Sequence, residues 1–562
     1  MSFRTFASVL TVLLPSALGA QQAASNPMKH EPRPTVTAIT VTDLMTRLYI
    51  FADDSMQGRE VGTKGHLMGT RYIASELEPL GLLPAGDSGT FYQDFGLVEK
   101  RIDPASRMSV GGKALAMRSD FLIFPAVGLP LVGKRFDAQE VPVVYGGKLG
   151  DVNLISPAAA AGKLVLFAPA DGPQGWQFWG RFGPAQYGQY REAAGLLIAA
   201  LDVAPPQLAG FLLSGQIDTL TSGEPEPSIA LAYVSSAVAE TLMGGSLAGL
   251  LPGAEHSNAT LAGGARVTPT FGPGRNVVAI VPGTDEVLRH QYVAVGAHTD
   301  HDGFSTLTEH DSLRAFNTVV RPGGAEDMDK QATPAQLDTV TRQLDSLRAI
   351  RPARPDSIMN GADDDASGSM ALLELAEYFT ANPARRSILF VWHAGEEKGL
   401  FGSAWYTDHP TVPRDSIVAN VNIDMIGRGD PTDIPGGGPA YAQLIGTRKL
   451  STQLGDLVEE VNAKGNHGFV FDYQFDAEGH PQQYYCRSDH YEYARYGIPI
   501  VFITTGSHPD YHMVTDEPQY INFDKYARVT DFVMDLTRTV ANLDSRPVVD
   551  KEKPDPKGQC RQ

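Results

Sequence analysis

The chain has 562 residues, more than one hydrophobic core normally supports, so two or three domains are expected. An apolar fraction of 42% and a charged fraction of 20% are typical of a folded globular protein and exclude an intrinsically disordered one. The net charge of −19 argues against binding to nucleic acid or to an anionic membrane surface. No nucleic-acid or membrane partner is therefore expected.

The first twenty residues have the pattern of an export signal. Arg4 gives a positive start, residues 6–18 are largely apolar, and residues 17–20 include the small side chains of a cleavage site. The apolar run is too short for a permanent membrane-spanning helix. We therefore expect residues 1–20 to be a signal peptide and the mature protein to be secreted or periplasmic. A buried N-terminal helix is the alternative.

Two regions with different sequence patterns follow the predicted signal peptide. From residue 41 to about residue 97, apolar residues such as Leu44, Leu48 and Leu77 recur at helical spacing. Between about residues 137 and 267, short strand-like runs alternate with loops rich in Gly, Pro and Ala, and none of these runs offers a cluster of His, Asp or Glu. We expect residues 137–267 to be an inserted, β-rich module without catalytic residues.

The remainder of the chain alternates apolar strand-like runs with helical stretches. The runs lie at 276–281, 292–296, 388–392, 417–423 and 498–503, and the helical stretches at 369–380 and 523–543. Near-continuous apolar runs are typical of strands buried on both faces. The predicted fold class is therefore α/β, with a mixed, mostly parallel central sheet and helices on both faces. Such sheets bind ligands at the carboxyl ends of their strands.

Residues 303–359 interrupt this alternation. Leu337, Val340, Leu344 and Leu347 form an apolar stripe at helical spacing within them. Because the segment leaves the chain between two groups of candidate ligands, we interpret it as a lid over the site. An ordinary surface excursion is the alternative.

Five short segments place imidazole or carboxylate groups directly after an apolar run or in a tight turn. They contain His298 and Asp300; Asp363, Asp364 and Asp365; Glu396 and Glu397; Asp424; and Tyr511 with His512. Catalytic zinc takes nitrogen and oxygen ligands, and two zinc ions about 3.5–4 Å apart can hold one water between them. The five segments together predict a two-zinc hydrolase site.

The residue types suggest separate roles. A bridging ligand must be an anionic oxygen donor that reaches two metals, and Asp364 is our choice. Because the side chains of adjacent residues diverge, one of Glu396 and Glu397 can bind metal while the other acts as a base. Asp424 lies in an apolar run, where a carboxylate should be protonated, paired or metal-bound. Asp300 is expected to hydrogen-bond the second ring nitrogen of a zinc-bound histidine.

Other side chains compete for these roles. His301 and Asp302 are alternative candidates for the roles of His298 and Asp300. His490 and His508 are alternative candidates for the role of His512. A polar cluster of Arg487, Asp489 and His490 could orient ligands or bind substrate. The aromatic residues near the site are expected to belong to the core rather than to a substrate pocket; these are Trp392, Tyr484, Tyr485 and Phe502.

Cys486 and Cys560 are the chain's two cysteines. In an exported protein they could form a disulfide that ties the C-terminal tail beside the site. Two unrelated thiols are an equally good interpretation. Two cysteines make neither a cysteine-type zinc site nor a redox motif.

Together, the five segments resemble the co-catalytic two-zinc aminopeptidase family, which has glutamate carboxypeptidase, the transferrin receptor ectodomain and glutaminyl cyclase as relatives. The resemblance implies the zinc exopeptidase fold and a cis peptide bond after Asp364. It also places Arg487 near the substrate. In this chain it implies a first zinc on His298 and Asp424, a second on Glu397 and His512, a bridging Asp364, a general base at Glu396 and an oxyanion-binding hydroxyl at Tyr511.

The same resemblance organises the domains. Residues 21–136 would be the N-terminal part of the catalytic domain, and residues 268–562 the rest of it, including the excursion at 303–359. Residues 137–267 resemble a protease-associated domain, although the likeness rests only on short strand-like runs. The compact members of the family lack both this module and the long excursion.

The expected function is that of an exported zinc metallo-exopeptidase that hydrolyses N-terminal residues from peptides with two zinc ions and a glutamate base. Peptides are the expected partners, and the sequence favours no oligomeric state. A zinc carboxypeptidase of the glutamate carboxypeptidase type is the nearest alternative. A non-catalytic, receptor-like binding protein on the same scaffold is the other.

Overall fold

The computed structural model describes residues 30–125, 131–172, 174–178, 181–220, 228–558 and 560–562. The signal peptide predicted at residues 1–20 lies outside the described residues. The chain divides into a larger unit, Met1–Phe95 with Gly274–Gln562, and a smaller unit, Gly96–Pro273. Among the described residues, no helix combines the length and the apolarity needed to cross a membrane.

The larger unit begins with two helices and two short strands. These are α1 (Val41–Phe51), α2 (Lys64–Leu80), β1 (Leu83–Pro84) and β2 (Tyr92–Phe95).

The smaller unit is rich in strands. Its elements are β3 (Leu97–Ile102), β4 (Arg107–Val110), β5 (Lys113–Leu115), β6 (Phe121–Ile123), β7 (Phe136–Lys148), α3 (Pro157–Ala160), β8 (Leu164–Ala168), α4 (Pro184–Gly188), β9 (Gly195–Ala199), α5 (Pro206–Ser214), β10 (Gln216–Thr219), β11 (Leu231–Val234), α6 (Ser236–Met243), β12 (Glu255–Gly263) and β13 (Ala265–Pro269).

The chain then completes the larger unit. The elements are β14 (Gly274–Val281), β15 (Tyr292–His298), β16 (Gly303–Glu309), α7 (His310–Val320), α8 (Pro334–Arg348), β17 (Pro355–Met359), α9 (Ala366–Ala381), β18 (Ser387–His393), α10 (Phe401–Asp408), β19 (Ile417–Ile423), β20 (Tyr441–Ile445), α11 (Thr452–Lys464), β21 (Val470–Asp472), α12 (His490–Ala494), β22 (Ile500–Thr504) and α13 (Phe523–Ala541).

One mixed sheet organises the larger unit, with the strand order β1-β14-β18-β15-β19-β22-β20-β21 and with β2 also paired to β14. Its four central strands, β18, β15, β19 and β22, run parallel. On either side of them, β14 and β20 pair antiparallel to their neighbours. The predicted α/β fold class is confirmed.

Alternating side chains of these strands point into two cores. Val277 and Ala279 belong to one hydrophobic cluster, and Val278 between them belongs to another. Helix α9 contributes Met370 to the first cluster, and α10 contributes Tyr406 to the second. A strand that is apolar on both faces therefore lies between helices on both faces, as the continuous apolar runs indicated.

The smaller unit has a core of its own. Its main sheet has the order β5-β4-β12-β7-β8-β9-β11-β6, and a second sheet has the order β10-β3-β13. The unit includes residues 96–136 because strands from that segment, such as β4 and β6, pair with β12 and β11. The likeness to a protease-associated domain stays a prediction.

The excursion at residues 303–359 forms a hairpin of β16 and β17 with helices α7 and α8 between the two strands. Helix α8 confirms the helical spacing predicted for residues 337–347. Of its apolar stripe, Val340 is buried, whereas Leu337 is 46% exposed. The interpretation of this excursion as a lid stays a prediction.

Cys486 and Cys560 form a disulfide. The tail is held there by hydrogen bonds as well, because the main-chain oxygen of Gln562 accepts from the amide of Gly479 at 3.0 Å. The side-chain oxygen of Gln562 accepts from the amide of Tyr485 at 3.3 Å. Of the two interpretations that the sequence allowed, the paired one is correct.

Candidate metal centre

The site lies at the carboxyl ends of the central parallel strands. His298 is the last residue of β15, and Asp424 directly follows β19. Glu396 and Glu397 come three and four residues after β18, and His512 lies in the loop that follows β22. Because parallel strands end at one edge of a sheet, side chains that are more than 200 residues apart in sequence meet there.

Asp364 occupies the centre of this group. Its Oδ1 atom lies 3.2 Å from Nε2 of His298, and its Oδ2 atom lies 3.1 Å from Nε2 of His512. A single carboxylate therefore spans two imidazoles, one with each oxygen. The peptide bond between Asp364 and Asp365 is cis, as the resemblance implied.

Asp365 ties three segments together through their main chains. Its carboxylate accepts hydrogen bonds from the amides of His298, Gly368 and Met425 at 3.1, 2.9 and 3.1 Å. It thereby caps the start of α9 and holds the ends of β15 and β19 beside it. The close contact of these three segments brings His298 and Asp364 together.

Further carboxylates complete a donor group around each histidine. Nε2 of His298 lies 3.7 Å from Oδ1 of Asp424, and Nε2 of His512 lies 3.0 Å from Oε2 of Glu397. Two of the donor sets that could hold an ion are His298 with Asp365 and Asp424, and Asp364 with Glu397 and His512. The ligand atoms within each set lie within 4.8 Å of one another.

The chemistry of these donors fits metal ions. Nε2 of His298 is buried and has no hydrogen-bond partner, although carboxylates face it. A buried imidazole nitrogen without a partner is costly unless something else occupies it. Nitrogen and carboxylate donors in this arrangement are the ligands that zinc takes.

The second ring nitrogen of His298 differs from expectation. Nδ1 lies 3.1 Å from the main-chain oxygen of Asp300 and 3.8 Å from its carboxylate. The carboxylate instead accepts hydrogen bonds from the amides of Gly395 and Glu396, at 2.7 and 3.2 Å. Burial raises the pKa of Asp300 to about 6. Asp300 thus orients His298 through its main chain and the Glu396 segment through its side chain.

Two positioning groups were missed in the sequence. The hydroxyl of Ser488 donates to Oδ2 of Asp424 at 2.7 Å. Asp516 accepts hydrogen bonds from the amides of Asp363 and Asp364, at 3.0 and 3.1 Å. Ser488 stands inside the polar cluster that the sequence singled out, between Arg487 and Asp489, whereas nothing in the local sequence marks Asp516.

The rival histidines have different positions. Nδ1 of His301 lies 2.7 Å from Oε1 of Glu397, so this buried ring adjoins the second donor group. His490 stacks on Phe502 with 4.6 Å between ring centroids, and burial lowers its pKa to about 3. Nε2 of His508 lies 3.3 Å from Oδ2 of Asp363. None of the donor sets found among the described residues includes His490 or His508.

The remaining polar residues lie beside the donors. Oδ2 of Asp489 is 3.4 Å from Nδ1 of His393 at the end of β18. Asp302 lies between Nδ1 of His512, at 3.0 Å, and the ammonium of Lys398, at 2.8 Å. The sequence offers Asp302 as a competitor of Asp300, and in the structure it contacts His512 instead.

A cavity opens onto this cluster. Arg487 lies in its wall, with one guanidinium nitrogen 2.7 Å from Oε1 of Glu326 and the other 3.3 Å from the hydroxyl of Tyr511. Burial raises the pKa of Tyr511 well above its ordinary value, so the phenol stays protonated and can donate. Tyr484 and Phe502 also line the cavity, which corrects the expectation that they serve only the core.

Residues 276–537 match the model of Peptidase family M28. "Aminopeptidase Y" of Saccharomyces cerevisiae is 25% identical over 223 residues, which are 36% of this chain and 38% of that protein. A "Probable leucine aminopeptidase" of Trichophyton verrucosum is 28% identical over 130 residues, which are 22% and 33%. The alignments thus span about a third of the length of these relatives.

Among solved structures, the chain is similar to an aminopeptidase from Aneurinibacillus sp. strain AM-1, with a TM-score of 0.50 and 16% identity. That likeness covers 92% of this chain and 97% of the other, and at such identity it shows the fold alone. The segment that matches the family model supplies both histidines of the donor groups and the carboxylate between them. The likeness to Peptidase family M28 therefore lies in the part of the chain that carries the donor groups.

Proposed function

We propose that this chain is an exported zinc metallo-aminopeptidase that removes N-terminal residues from peptides. One observation carries the proposal: the carboxylate of Asp364 lies between His298 and His512, and further carboxylates flank both rings. Such an arrangement suits two metal ions that share one ligand. The two relatives described above are both named as aminopeptidases, which supports the reaction class.

Each zinc ion would have its own ligands. His298 and Asp424 would hold the first ion, Glu397 and His512 the second, and Asp364 would bind both. Ser488 and Asp302 support this assignment, because each contacts an outer atom of a proposed ligand. Such contacts fix the orientation of metal ligands.

When bound, the zinc ions supply Lewis acidity and lower the pKa of a bound water towards 7. The chain supplies the base. Oε2 of Glu396 is 3.9 Å from Nε2 of His298, so its carboxylate borders the donor group. The amide hydrogen bond from Glu396 to Asp300 holds this residue's main chain. Glu396 takes a proton from the attacking water and returns it to the leaving amine.

Tyr511 and Arg487 serve the carbonyl oxygen of the scissile bond. The phenol of Tyr511 is a donor on the cavity wall, and a donor aimed at an oxygen that gains negative charge stabilises the transition state. The guanidinium of Arg487 holds the phenol oxygen from the other side, at 3.3 Å. Tyr511 is thus the oxyanion donor and Arg487 its positioning partner.

Export rests on two features of the chain. The sequence of residues 1–20 has the pattern of a signal peptide. The disulfide between Cys486 and Cys560 suits an oxidising compartment such as the periplasm or the exterior. We therefore propose a secreted or periplasmic enzyme.

A peptide panel tests the function. Each peptide is offered with a free amine and with an acetylated amine, and the released amino acid is measured. We expect release from the free amine only, with loss on chelation and recovery on addition of zinc. Equal cleavage of acetylated peptides would contradict the aminopeptidase assignment and favour a carboxypeptidase or endopeptidase. Absence of any cleavage by the zinc-loaded protein would favour the binding-protein alternative.

A further inference from the structure

A turn of the 303–359 excursion is fixed against the loop that carries Tyr511. The amide of Ala325 donates to the main-chain oxygen of Tyr511 at 3.1 Å. At Gly324, φ is +57°, and a Cβ atom there would lie 2.6 Å from the oxygen of Tyr511 and 2.7 Å from that of His508. Glycine is required at this approach. The excursion therefore adds a defined residue, Glu326, to the cavity wall.

Glu326 pairs with the guanidinium of Arg487. Its Oε1 atom lies 2.7 Å from one guanidinium nitrogen, and the other nitrogen lies 3.3 Å from the hydroxyl of Tyr511. The side chain of Glu326 is 15% exposed and that of Arg487 is 40% exposed. The pair is thus partly withdrawn from water yet borders the cavity, where electrostatic interactions are stronger than in bulk solvent.

Arg487 is the only lysine or arginine among the described residues that line this cavity. The α-carbon of the residue beyond the scissile bond lies about 3.8 Å from the α-carbon before it. If the scissile carbonyl is at Tyr511, a carboxylate on the next residue comes within reach of Arg487. An unpaired guanidinium at Arg487 would attract such a carboxylate. Because Glu326 pairs with Arg487, the positive charge is neutralised, and the carboxylate of Glu326 would repel a substrate carboxylate nearby.

We propose that Glu326 is a specificity-determining residue that excludes substrates with a carboxylate on the residue after the scissile bond. These substrates are free dipeptides and peptides with Asp or Glu at the second position. Specificity of this kind comes from a repulsive contact as much as from an attractive one. The inference rests on the proposed aminopeptidase function and names the substrates that this site disfavours.

The test compares one dipeptide as the free acid and as the C-terminal amide. For the unaltered enzyme, we expect kcat/KM for the amide to exceed that for the acid by about tenfold or more. The reason is that the carboxylate of the acid and that of Glu326 repel each other in a partly desolvated site. In Glu326→Gln, the acid-to-amide ratio should rise about tenfold, because the variant keeps a polar side chain but removes its charge. The same shift is expected for Asp against Asn at the second position.

Asp329→Asn is the matched control, since it removes one negative charge from an exposed residue of the same segment. Its acid-to-amide ratio should stay at the value of the unaltered enzyme. Glu326→Asp retains the charge and should retain most of the discrimination. Equal hydrolysis of acid and amide by the unaltered enzyme would overturn the inference without any variant. So would an unchanged ratio in a Glu326→Gln protein with an unchanged thermal midpoint.

These outcomes are distinct from failure of the proposed function. That failure would appear as no release from any free-amine peptide, acid or amide, by the zinc-loaded enzyme. A failure of the inference would instead appear as active aminopeptidase turnover without discrimination, or with discrimination that Glu326 does not control.

Discussion

Glu396 and Glu397 are neighbours in the chain, but their carboxylates have different surroundings. The two oxygens of Glu397 lie 2.7 Å from Nδ1 of His301 and 3.0 Å from Nε2 of His512. The nearest charged contact of Glu396 is the longer one to His298, at 3.9 Å. Glu397 thus contacts two histidines at short range, whereas Glu396 contacts one at longer range, which suits the proposed division into ligand and base.

Replacing Glu396 with Gln tests this division of roles. We expect kcat to fall by about 10²- to 10⁴-fold, which is the usual contribution of a positioned general base. The amide of the variant has nearly the same shape, so zinc binding and the thermal midpoint should stay close to those of the unaltered enzyme. Turnover and zinc content of the purified variant are the measurements.

Glu478→Gln, at an exposed position, is the matched control and should leave kcat unchanged. If Glu396→Gln kept near-normal turnover with full zinc content, Glu396 would not be the base. If it lost its zinc instead, Glu396 would be a ligand.

At the level of single residues, the sequence predicted donor types better than their partners. The candidate ligands Asp364 and Asp424 could be chosen because their chemistry is unusual for their local setting. The predicted partner of Nδ1 of His298, the carboxylate of Asp300, was wrong, because the main-chain oxygen of Asp300 lies closer to this nitrogen. Asp516 and Glu326 reach the site only through tertiary contacts that no local pattern encodes.

Helices α1 and α9 are joined by a buried ionic group. The guanidinium of Arg47 in α1 pairs with the carboxylates of Glu374 and Glu377 in α9, and all three side chains are buried. Burial raises the pKa of Glu374 to about 8, although Arg47 acts in the opposite direction. One cation therefore serves two acidic partners away from water.

This raised pKa gives the contact a defined pH dependence. In the unfolded chain a glutamate titrates near pH 4.3, so between about pH 4.3 and 8 the folded state holds a proton that the unfolded state has lost. Below about pH 4.3 this group does not lower the free energy of unfolding. Between about pH 4.3 and 8 the free energy of unfolding falls as the pH rises, and above about pH 8 the loss is complete. Glu374→Gln, which stays neutral, should therefore lose less stability than the unaltered protein between pH 5 and 8.

The difference should be on the order of 3 kcal/mol, or roughly 5 °C in thermal midpoint, over that range. Thermal unfolding of both proteins at several pH values is the measurement. Glu78→Gln, at an exposed position on α2, is the control and should follow the unaltered protein. Parallel pH profiles for Glu374→Gln and the unaltered protein would show that Glu374 carries no such linkage.

At the level of elements, the central strands could be predicted within a few residues. The apolar runs at 292–296 and 388–392 became β15 and β18, because burial on both faces leaves a continuous apolar signal. The short strands β4 to β6 gave no such signal. They are three or four residues long. β4 and β6 pair with segments more than a hundred residues away, and β5 is held in the sheet only by its pairing with β4.

The chain leaves the larger unit at the end of β2 and returns to it at the start of β14, and these two strands are paired. Phe95 in β2 and Gly274 in β14 face each other in the antiparallel register. The residues of each hydrophobic core also lie within one unit. The strands β2 and β14 therefore pair as the two strands of a hairpin do, and residues 96–273 form the connection between them.

Replacing Gly96–Pro273 with a two-residue Asn-Gly turn should therefore leave the larger unit folded, because such turns join facing antiparallel strands. We expect one cooperative thermal transition and the zinc content of the full protein. Calorimetry and metal analysis are the measurements, with the separately produced smaller unit as the control for independent folding. Aggregation or a broad transition of the shortened protein would contradict this account.

The split larger unit also sets the order of events during synthesis. Helices α1 and α2 emerge first, with apolar faces that include Leu44, Leu48 and Leu77. The strand and helix that cover those faces, β14 and α9, are made only after the whole of the smaller unit. At about 5–20 residues per second, synthesis from the end of α2 to the end of α9, about 300 residues, takes roughly 15 to 60 s. For that time the apolar faces of α1 and α2 lack their native partners, and we expect them to be prone to aggregation.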